Sequence, residues 1–222
     1  MTSIPLVVIT GANRGIGLAL LQHYQQRGAE VVALCRQSSS QLQAQKPLQI
    51  IEGIDVAGEL SVLAKWQPPR KIDVLINCAG ILSEDSLASF TAEDLLQQFH
   101  VNSVGPLRMV QTLLPHLARP SKIAMITSRM GSIADNQSGG YYGYRASKAA
   151  LNALSVSLAQ DLKSENIAVA LLHPGFVKTQ MVNFQGHISP EESAQGLVAR
   201  IDALNLHNTG GFWHANGEKL PW

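Results

Sequence analysis

Tyr144 and Lys148 stand four residues apart, a spacing that puts a phenol and an ammonium on one helix face, a single turn apart. Sixteen residues before Tyr144 lies Ser128, just after the apolar run Lys122–Thr127, which reads as a strand. Together they carry what proton transfer to a reacting oxygen requires: a hydroxyl to polarise it, a phenol to donate, and a cation to stabilise the phenolate left behind. A tyrosine ordinarily ionises near ~10, so shared acid and base duty at neutral pH needs a drop of about 2–3 units, roughly 3–4 kcal/mol of selective phenolate stabilisation. The Lys148 ammonium is expected to contribute to that drop. Tyr141 and Tyr142 are rivals, but neither has a lysine four residues on; Arg145 follows Tyr141 and does not lose its charge.

A second constellation occupies the N-terminal end. Gly11, Ala12, Asn13, Arg14, Gly15, Ile16 and Gly17 follow the apolar run Leu6–Thr10 and precede a helical pattern. Glycine permits the positive φ of a tight strand-to-helix turn, and the helix start offers free amide donors and a dipole that favour a pyrophosphate. Gly17 lets helix and sheet approach closely. The second strand then ends in Cys35 and Arg36. A carboxylate there would accept ribose hydroxyls, and Cys35 cannot. Arg36 with Arg14 could instead clamp a 2′-phosphate, so the expected cofactor is NADP(H) rather than NAD(H). The positive nicotinamide of its oxidised form would add to the pull of Lys148 on Tyr144.

The elements that must position these residues alternate. Strand candidates are Leu6–Thr10, Glu30–Cys35, Leu48–Ile54, Ile72–Asn77, Lys122–Thr127, Ile167–His173 and Gly211–His214. Between them lie the helix candidates Ile16–Arg27, Gly58–Trp66, Ala92–Leu117, Tyr144–Ser164 and Pro190–Leu204. Uniformly apolar strands such as Val7-Val8-Ile9 suit a mostly parallel seven-stranded sheet covered on both faces. The expected fold is α/β, one doubly wound domain over residues 1–222, with a short substrate lid near 177–189.

Composition narrows the function classes. The 222 residues are 45% hydrophobic and 15% charged, which excludes a disordered chain. A net charge of +1 leaves no electrostatic footprint for nucleic acid or an acidic membrane. The longest aliphatic run, Ile167–Leu172, is six residues, against roughly 20 for a bilayer span. Cys35 and Cys78 fit neither a disulfide framework nor a metal site, and none of the seven histidines is paired at i, i+4, so no metal is expected. The expected setting is cytoplasmic.

The spacing Gly-x3-Gly-x-Gly, with Tyr144-x3-Lys148 and Ser128, resembles the short-chain dehydrogenase/reductase (SDR) family, whose domain is Rossmann-type. The resemblance spans nearly the whole chain. It implies that Asp55, followed by Val56, contacts the adenine amino group, and that Asn77-Cys78-Ala79-Gly80 lies against the adenine ribose, with Cys78 in place of the usual Asn. It implies that Asn102 holds a water linking Lys148 to solvent, and that Lys148 also binds the nicotinamide ribose. Pro174, Gly175, Val177 and Thr179 would contact the nicotinamide. His173 is read as structural, not as an acid or base.

Ser128–Ile133, Gly139–Lys148, the ending Gly217–Trp222 and the long step from Ser128 to Tyr144 are most similar to the C-factor and sniffer group of carbonyl reductases. If that long loop does not fold back, Ser132 competes with Ser128. Met130, Ile133, Tyr141, Phe176, Met181, Val182 and Phe184 are candidate pocket or lid residues, favouring a small hydrophobic carbonyl or alcohol substrate. Two functions remain open: an NADPH-dependent reductase of an aldehyde, ketone or quinone, and a cofactor-binding signalling or regulatory protein. The resemblance also implies a homodimer or homotetramer.

Overall fold

The computed structural model describes residues 4–222. Its sheet has seven strands, β1 (Leu6–Thr10), β2 (Glu30–Leu34), β3 (Gln49–Ile51), β4 (Ile72–Asn77), β5 (Leu117–Ile126), β6 (Ile167–His173) and β7 (Phe212–His214). Their order is β3-β2-β1-β4-β5-β6-β7, and every pairing is parallel. The helices are α1 (Gly15–Gln26), α2 (Ser40–Ala44), α3 (Ser61–Lys65), α4 (Ala92–Phe99), α5 (Gly105–Leu113), α6 (Tyr142–Asp161) and α7 (Pro190–Ala203).

Alternation along β1 builds both layers of the core. Val7 and Ile9 face α1 and α7, packing with Leu20, Leu21, Leu197 and Ile201. Leu6 and Val8 face the other way, towards Met109, Leu113, Leu151 and Leu162 of the α5–α6 layer. All four β1 side chains are buried completely, which is why the strand reads as one apolar run. The chain leaves β1 towards β2 and β3, then crosses back to β4. That reversal opens a crevice at the carboxyl ends of β1 and β4.

Most element ends shift from the sequence expectation, β3 shortening to Gln49–Ile51 and α3 to Ser61–Lys65, and the largest change lies between β4 and β5. The single helix expected over Ala92–Leu117 is α4, a π-helical turn (His100–Val104), α5 and a 3-10 turn (Leu114–His116). Pro115 in that last turn has no N–H with which to continue a helix. The chain therefore enters β5 at Leu117, which pairs with Ile72, five residues before the expected start at Lys122. The segment 177–189 is a loop pinned at its ends by a bridge between Val177 and Ile188, with a 3-10 turn at Gln180–Val182.

Candidate active site

At the carboxyl edge of β1 the chain turns into α1 through Gly11 (φ 69°) and Gly15 (φ 53°), both in the left-handed region. A Cβ on Gly11 would stand 2.9 Å from the Ala79 Cα, and one on Gly17 would collide with the Gly11 carbonyl. Thr10 locks the turn to the next strand: its hydroxyl accepts the Cys78 and Ala79 amides at 2.9 and 3.1 Å. No side chain caps α1 and no acidic residue sits in its first turn. Its leading amides and positive dipole end thus stay open to an anion. This glycine cradle fits a dinucleotide pyrophosphate.

The turn forms one wall of a cleft of about 1530 Å³, also lined by Arg36, Asp55, Val56, Ala79, Gly80 and Thr179. That exceeds the roughly 300–1,000 Å³ usual for a single small ligand and leaves room for a dinucleotide with a second reactant. Arg36 reaches the cleft with its guanidinium free of hydrogen-bond partners among the described residues. Arg14 lines the same cleft and also donates to the side chain of Gln180 in the 177–189 loop, tying the glycine turn to the expected lid. Asn13 donates to the Gln37 carbonyl at 3.1 Å, and the Asp55 carboxylate accepts the Ala57 amide at 3.0 Å. Asn77 does not line the cleft: it is buried within the sheet, its amide nitrogen 3.4 Å from the Met125 sulfur. Burial pushes the Cys78 thiol up to about 12, so it stays protonated at neutral pH.

Ser128, Tyr144 and Lys148 do not themselves line this cleft; they are buried, exposed by only 6%, 8% and 5%. Ser128 follows β5 and also accepts the Met130 amide at 3.1 Å, which starts a 3-10 turn at Arg129–Gly131. The loop folds back here, since a Cβ on Gly131 would lie 2.7 Å from the Lys148 carbonyl carbon. Ser128 lies near enough to Tyr144 to pull its phenol down against burial, while the hydroxyl of Ser132 accepts the Asp135 amide. Lys148 donates to the Ile126 carbonyl at 2.9 Å, and its ammonium lies 5.8 Å from the centre of the Tyr144 ring.

These two groups depart from their ordinary behaviour in a way the sequence does not disclose. Burial pushes the Tyr144 phenol up to about 12, with the Ser128 hydroxyl pulling the other way. Burial likewise pushes Lys148 down to about 8, against the attraction of Cys78. The protein's own groups therefore do not acidify Tyr144 as expected. Desolvation is the largest influence on the phenol, and the Lys148 ammonium is directed to a backbone carbonyl.

Asn102 lies in the π-helical turn, completely buried. Its side chain exchanges two hydrogen bonds with the Ile81 backbone, both 2.9 Å, and donates a third to Ser147 at 3.0 Å. Pro106, four residues on, has no N–H to give the Asn102 carbonyl the bond an α-helix would supply. A Cβ on Gly80 would meet the Asn102 side-chain oxygen at 3.1 Å and the Lys148 ammonium at 3.8 Å, so Gly80 is the thin partition between cleft and reacting groups. His173 is pushed down to about 3, chiefly by burial, and stays neutral against His214.

Pro174 accepts a hydrogen bond from Ser193 at 2.7 Å, and Gly175 (φ 89°) turns the chain into the 177–189 loop. Thr179 packs its methyl 3.3 Å from where a Gly15 Cβ would be. Val177 is buried beneath this loop. Of the expected pocket residues, Met181 and Phe184 line the cleft, and Ile133 is exposed beside Ser132. Sequence reasoning missed Asp85, whose backbone and carboxylate hold the start of α6, and Gln98, which is fully buried and accepts the Ser83 amide at 3.1 Å.

The family model for short chain dehydrogenases matches residues 5–188. The chain belongs to the short-chain dehydrogenase family. It is 35% identical over 97% of its length, and 99% of the relative's, to a 1-hydroxy-2-glutathionyl-2-methyl-3-butene dehydrogenase of Rhodococcus sp. (strain AD45). It is 40% identical over 68% of its length, and 93% of the relative's, to the C-signal protein of Myxococcus xanthus. Among solved structures, the carbonyl reductase Sniffer of D. melanogaster superposes with a TM-score of 0.90 at 29% identity, covering 99% of this chain and 100% of that one. An NADPH-bound carbonyl reductase from chicken fatty liver also gives 0.90 at 29% identity, covering 99% of each chain. This short-chain dehydrogenase thus has the fold of the sniffer-like carbonyl reductases. Among the described residues, no helix is long and apolar enough to cross a membrane, and no group of three or more His, Cys, Asp and Glu side chains could hold a metal ion.

Proposed function

We propose that the chain is an NADP(H)-dependent reductase of small hydrophobic carbonyl compounds, aldehydes, ketones or quinones. The observation that carries this reading is the buried junction of Ser128, Tyr144 and Lys148 behind Gly80, which lines a cleft built for a pyrophosphate. Bound NADPH would supply the hydride. Ser128 donates a hydrogen bond to the substrate oxygen, and Tyr144, fully protonated at neutral pH because burial holds it near 12, gives that oxygen its proton. Lys148, still charged at neutral pH with a value near 8, stabilises the phenolate that forms and binds ribose hydroxyls. The Asn102 carbonyl, which Pro106 leaves without its α-helical donor, holds the water through which Lys148 reaches solvent. Arg36 takes the 2′-phosphate, with Gly11, Gly15, Ile16 and Gly17 at the pyrophosphate, Asp55 and Val56 at the adenine, and Pro174, Gly175, Val177 and Thr179 at the nicotinamide. Met181 and Phe184 supply apolar surface at the mouth. By analogy with the family, α5 and α6 pair about a two-fold axis in a homodimer or homotetramer.

The test is NADPH oxidation by the purified chain over a panel of aldehydes, ketones and quinones. The wild type consumes cofactor and Tyr144→Phe does not; a wild type inactive on the whole panel overturns the proposal. A second reading, a cofactor-binding signalling protein whose turnover is incidental, draws on the likeness to C-signal. Full rescue of a deletion phenotype by Tyr144→Phe would favour it.

A further inference from the structure

The helix that presents Tyr144 and Lys148 cannot hold its own start. The residue before α6, Tyr141, offers no side-chain cap, and the first turn contains no acidic residue. The approach is also conformationally demanding: Gly139, Gly140 and Tyr141 are three consecutive residues at positive φ (64°, 61° and 52°), and the last is not glycine. An uncapped helix start leaves amides unpaired and a positive dipole end uncompensated.

Asp85 supplies what is missing, from a loop that follows β4. Its backbone carbonyl accepts the Tyr141 amide at 2.9 Å. One carboxylate oxygen accepts the Tyr142 amide, across 57 residues of sequence, and the other accepts the Gly143 amide at 3.0 Å. Three successive amides, ending one residue before Tyr144, are thus satisfied by one residue, and a negative charge sits on the helix axis. The Asp85 loop is itself fastened from below: Gln98, fully buried in α4, accepts the amide of Ser83. The fit leaves no slack at Gly143, where a Cβ would collide with the Gln98 amide and come within 3.2 Å of the Asp85 carboxylate.

We propose that Asp85 is a positioning residue for Tyr144: its carboxylate caps the catalytic helix in trans and fixes the first turn so that the phenol meets Ser128. Asp85 acts on the reaction through the backbone that carries Tyr144. The inference rests on the carbonyl-reductase reading for its kinetic consequence, but the anchoring itself does not. Displacing a reacting group by an ångström costs on the order of a hundredfold in rate, and an interaction needed only in the transition state shows in kcat rather than KM.

The experiment compares wild type, Asp85→Ala and Asp85→Asn by steady-state kinetics with NADPH and an accepted carbonyl, and by amide hydrogen exchange. In Asp85→Ala, kcat falls about 10–100-fold with KM for both reactants within about threefold. Exchange at the amides of residues 142–144 speeds at least about tenfold, while β1 and β4 exchange as in wild type. Asp85→Asn keeps one acceptor oxygen and lies between the two in both measurements; it carries the comparison alone if the alanine variant does not fold. A kcat within twofold of wild type, a rise in KM without a fall in kcat, or unchanged exchange at residues 142–144 each overturns the proposal. If the wild type turns over no carbonyl, the carbonyl-reductase reading has failed, and the exchange measurement alone decides whether Asp85 anchors the helix.

Discussion

Replacing Lys148 by methionine is expected to abolish carbonyl reduction and, at neutral pH, to make the folded protein more stable. Burial holds the folded ammonium at about 8 against an ordinary 10.5. At about 1.36 kcal/mol per unit, keeping that charge in the fold at pH 7 costs roughly 3 kcal/mol. Methionine fills a similar volume without a charge, but it leaves the Ile126 carbonyl without the hydrogen bond Lys148 makes at 2.9 Å. That omission costs about 1–2 kcal/mol, so the net gain at pH 7 is about 1–2 kcal/mol.

The pH dependence separates this account from simple repacking. Between pH 8 and 10.5 the unfolded lysine still binds a proton that the folded one has released, so wild-type stability rises with pH across that window. Below 8 both states are protonated and the penalty is complete. The gap between Lys148→Met and wild type therefore closes by about 3 kcal/mol as pH rises from 8 to 10.5 and changes sign near the middle of that window, at about pH 9–9.5. Tyr144, held near 12, titrates in either protein and cancels to first order in the difference, whereas Cys78 loses the pull of Lys148 in the variant, which closes the gap in the same direction. Urea denaturation of both proteins at pH 7, 8, 9 and 10 measures the gap directly. A variant less stable than wild type at pH 7, or a gap constant from pH 7 to 10, would refute the reasoning.

Because the phenol is held near 12 and Lys148 stays charged below about 8, reduction should be flat from pH 5 to 7, while alcohol oxidation, which needs the phenolate, should rise about tenfold per pH unit over that range. Parallel rate profiles in the two directions check this, and an oxidation plateau near pH 7 contradicts it. Arg36→Ala should weaken NADPH about 10–100-fold, the equivalent of one charge-assisted contact, and leave NADH unchanged; titration calorimetry with both cofactors reads the ratio. Gly17→Ala puts a Cβ into the Gly11 carbonyl. It should lower the melting temperature and abolish cofactor binding together, as thermal shift with and without NADPH would report.

The residues that act through their own type and short-range spacing were legible in the sequence. The glycine turn, the apolar runs of β1, β4 and β6, and the Tyr144–Lys148 pair are each written within a few consecutive positions. What was not legible depends on partners far along the chain. The anchoring of the turn between α4 and α5 by Asn102 bonding to Ile81 spans 21 residues. The bond from Arg14 to Gln180 spans 166 residues. Asp85 belongs to no pattern, being one acid in a polar loop until the fold brings it to α6. The direction in which Tyr144 moves was misjudged because adjacency of charges can be read from spacing, whereas depth of burial cannot.

That depth gives the two perturbed groups one cause and complementary effects. Stripping water from a phenolate and from an ammonium penalises both charged forms, so burial raises one group and lowers the other. A direct ion pair would relieve both at once, but the fold aims Lys148 at the Ile126 carbonyl instead. The proton consequently stays on the phenol, the form that can give it away, and the ammonium remains charged and close enough to steady the phenolate when one forms. A pair poised in contact would already have spent that stabilisation in the ground state, where it does nothing for the rate. On the proposed reading, keeping Tyr144 and Lys148 a helical turn apart, with the lysine tethered elsewhere, reserves the interaction for the moment the proton leaves.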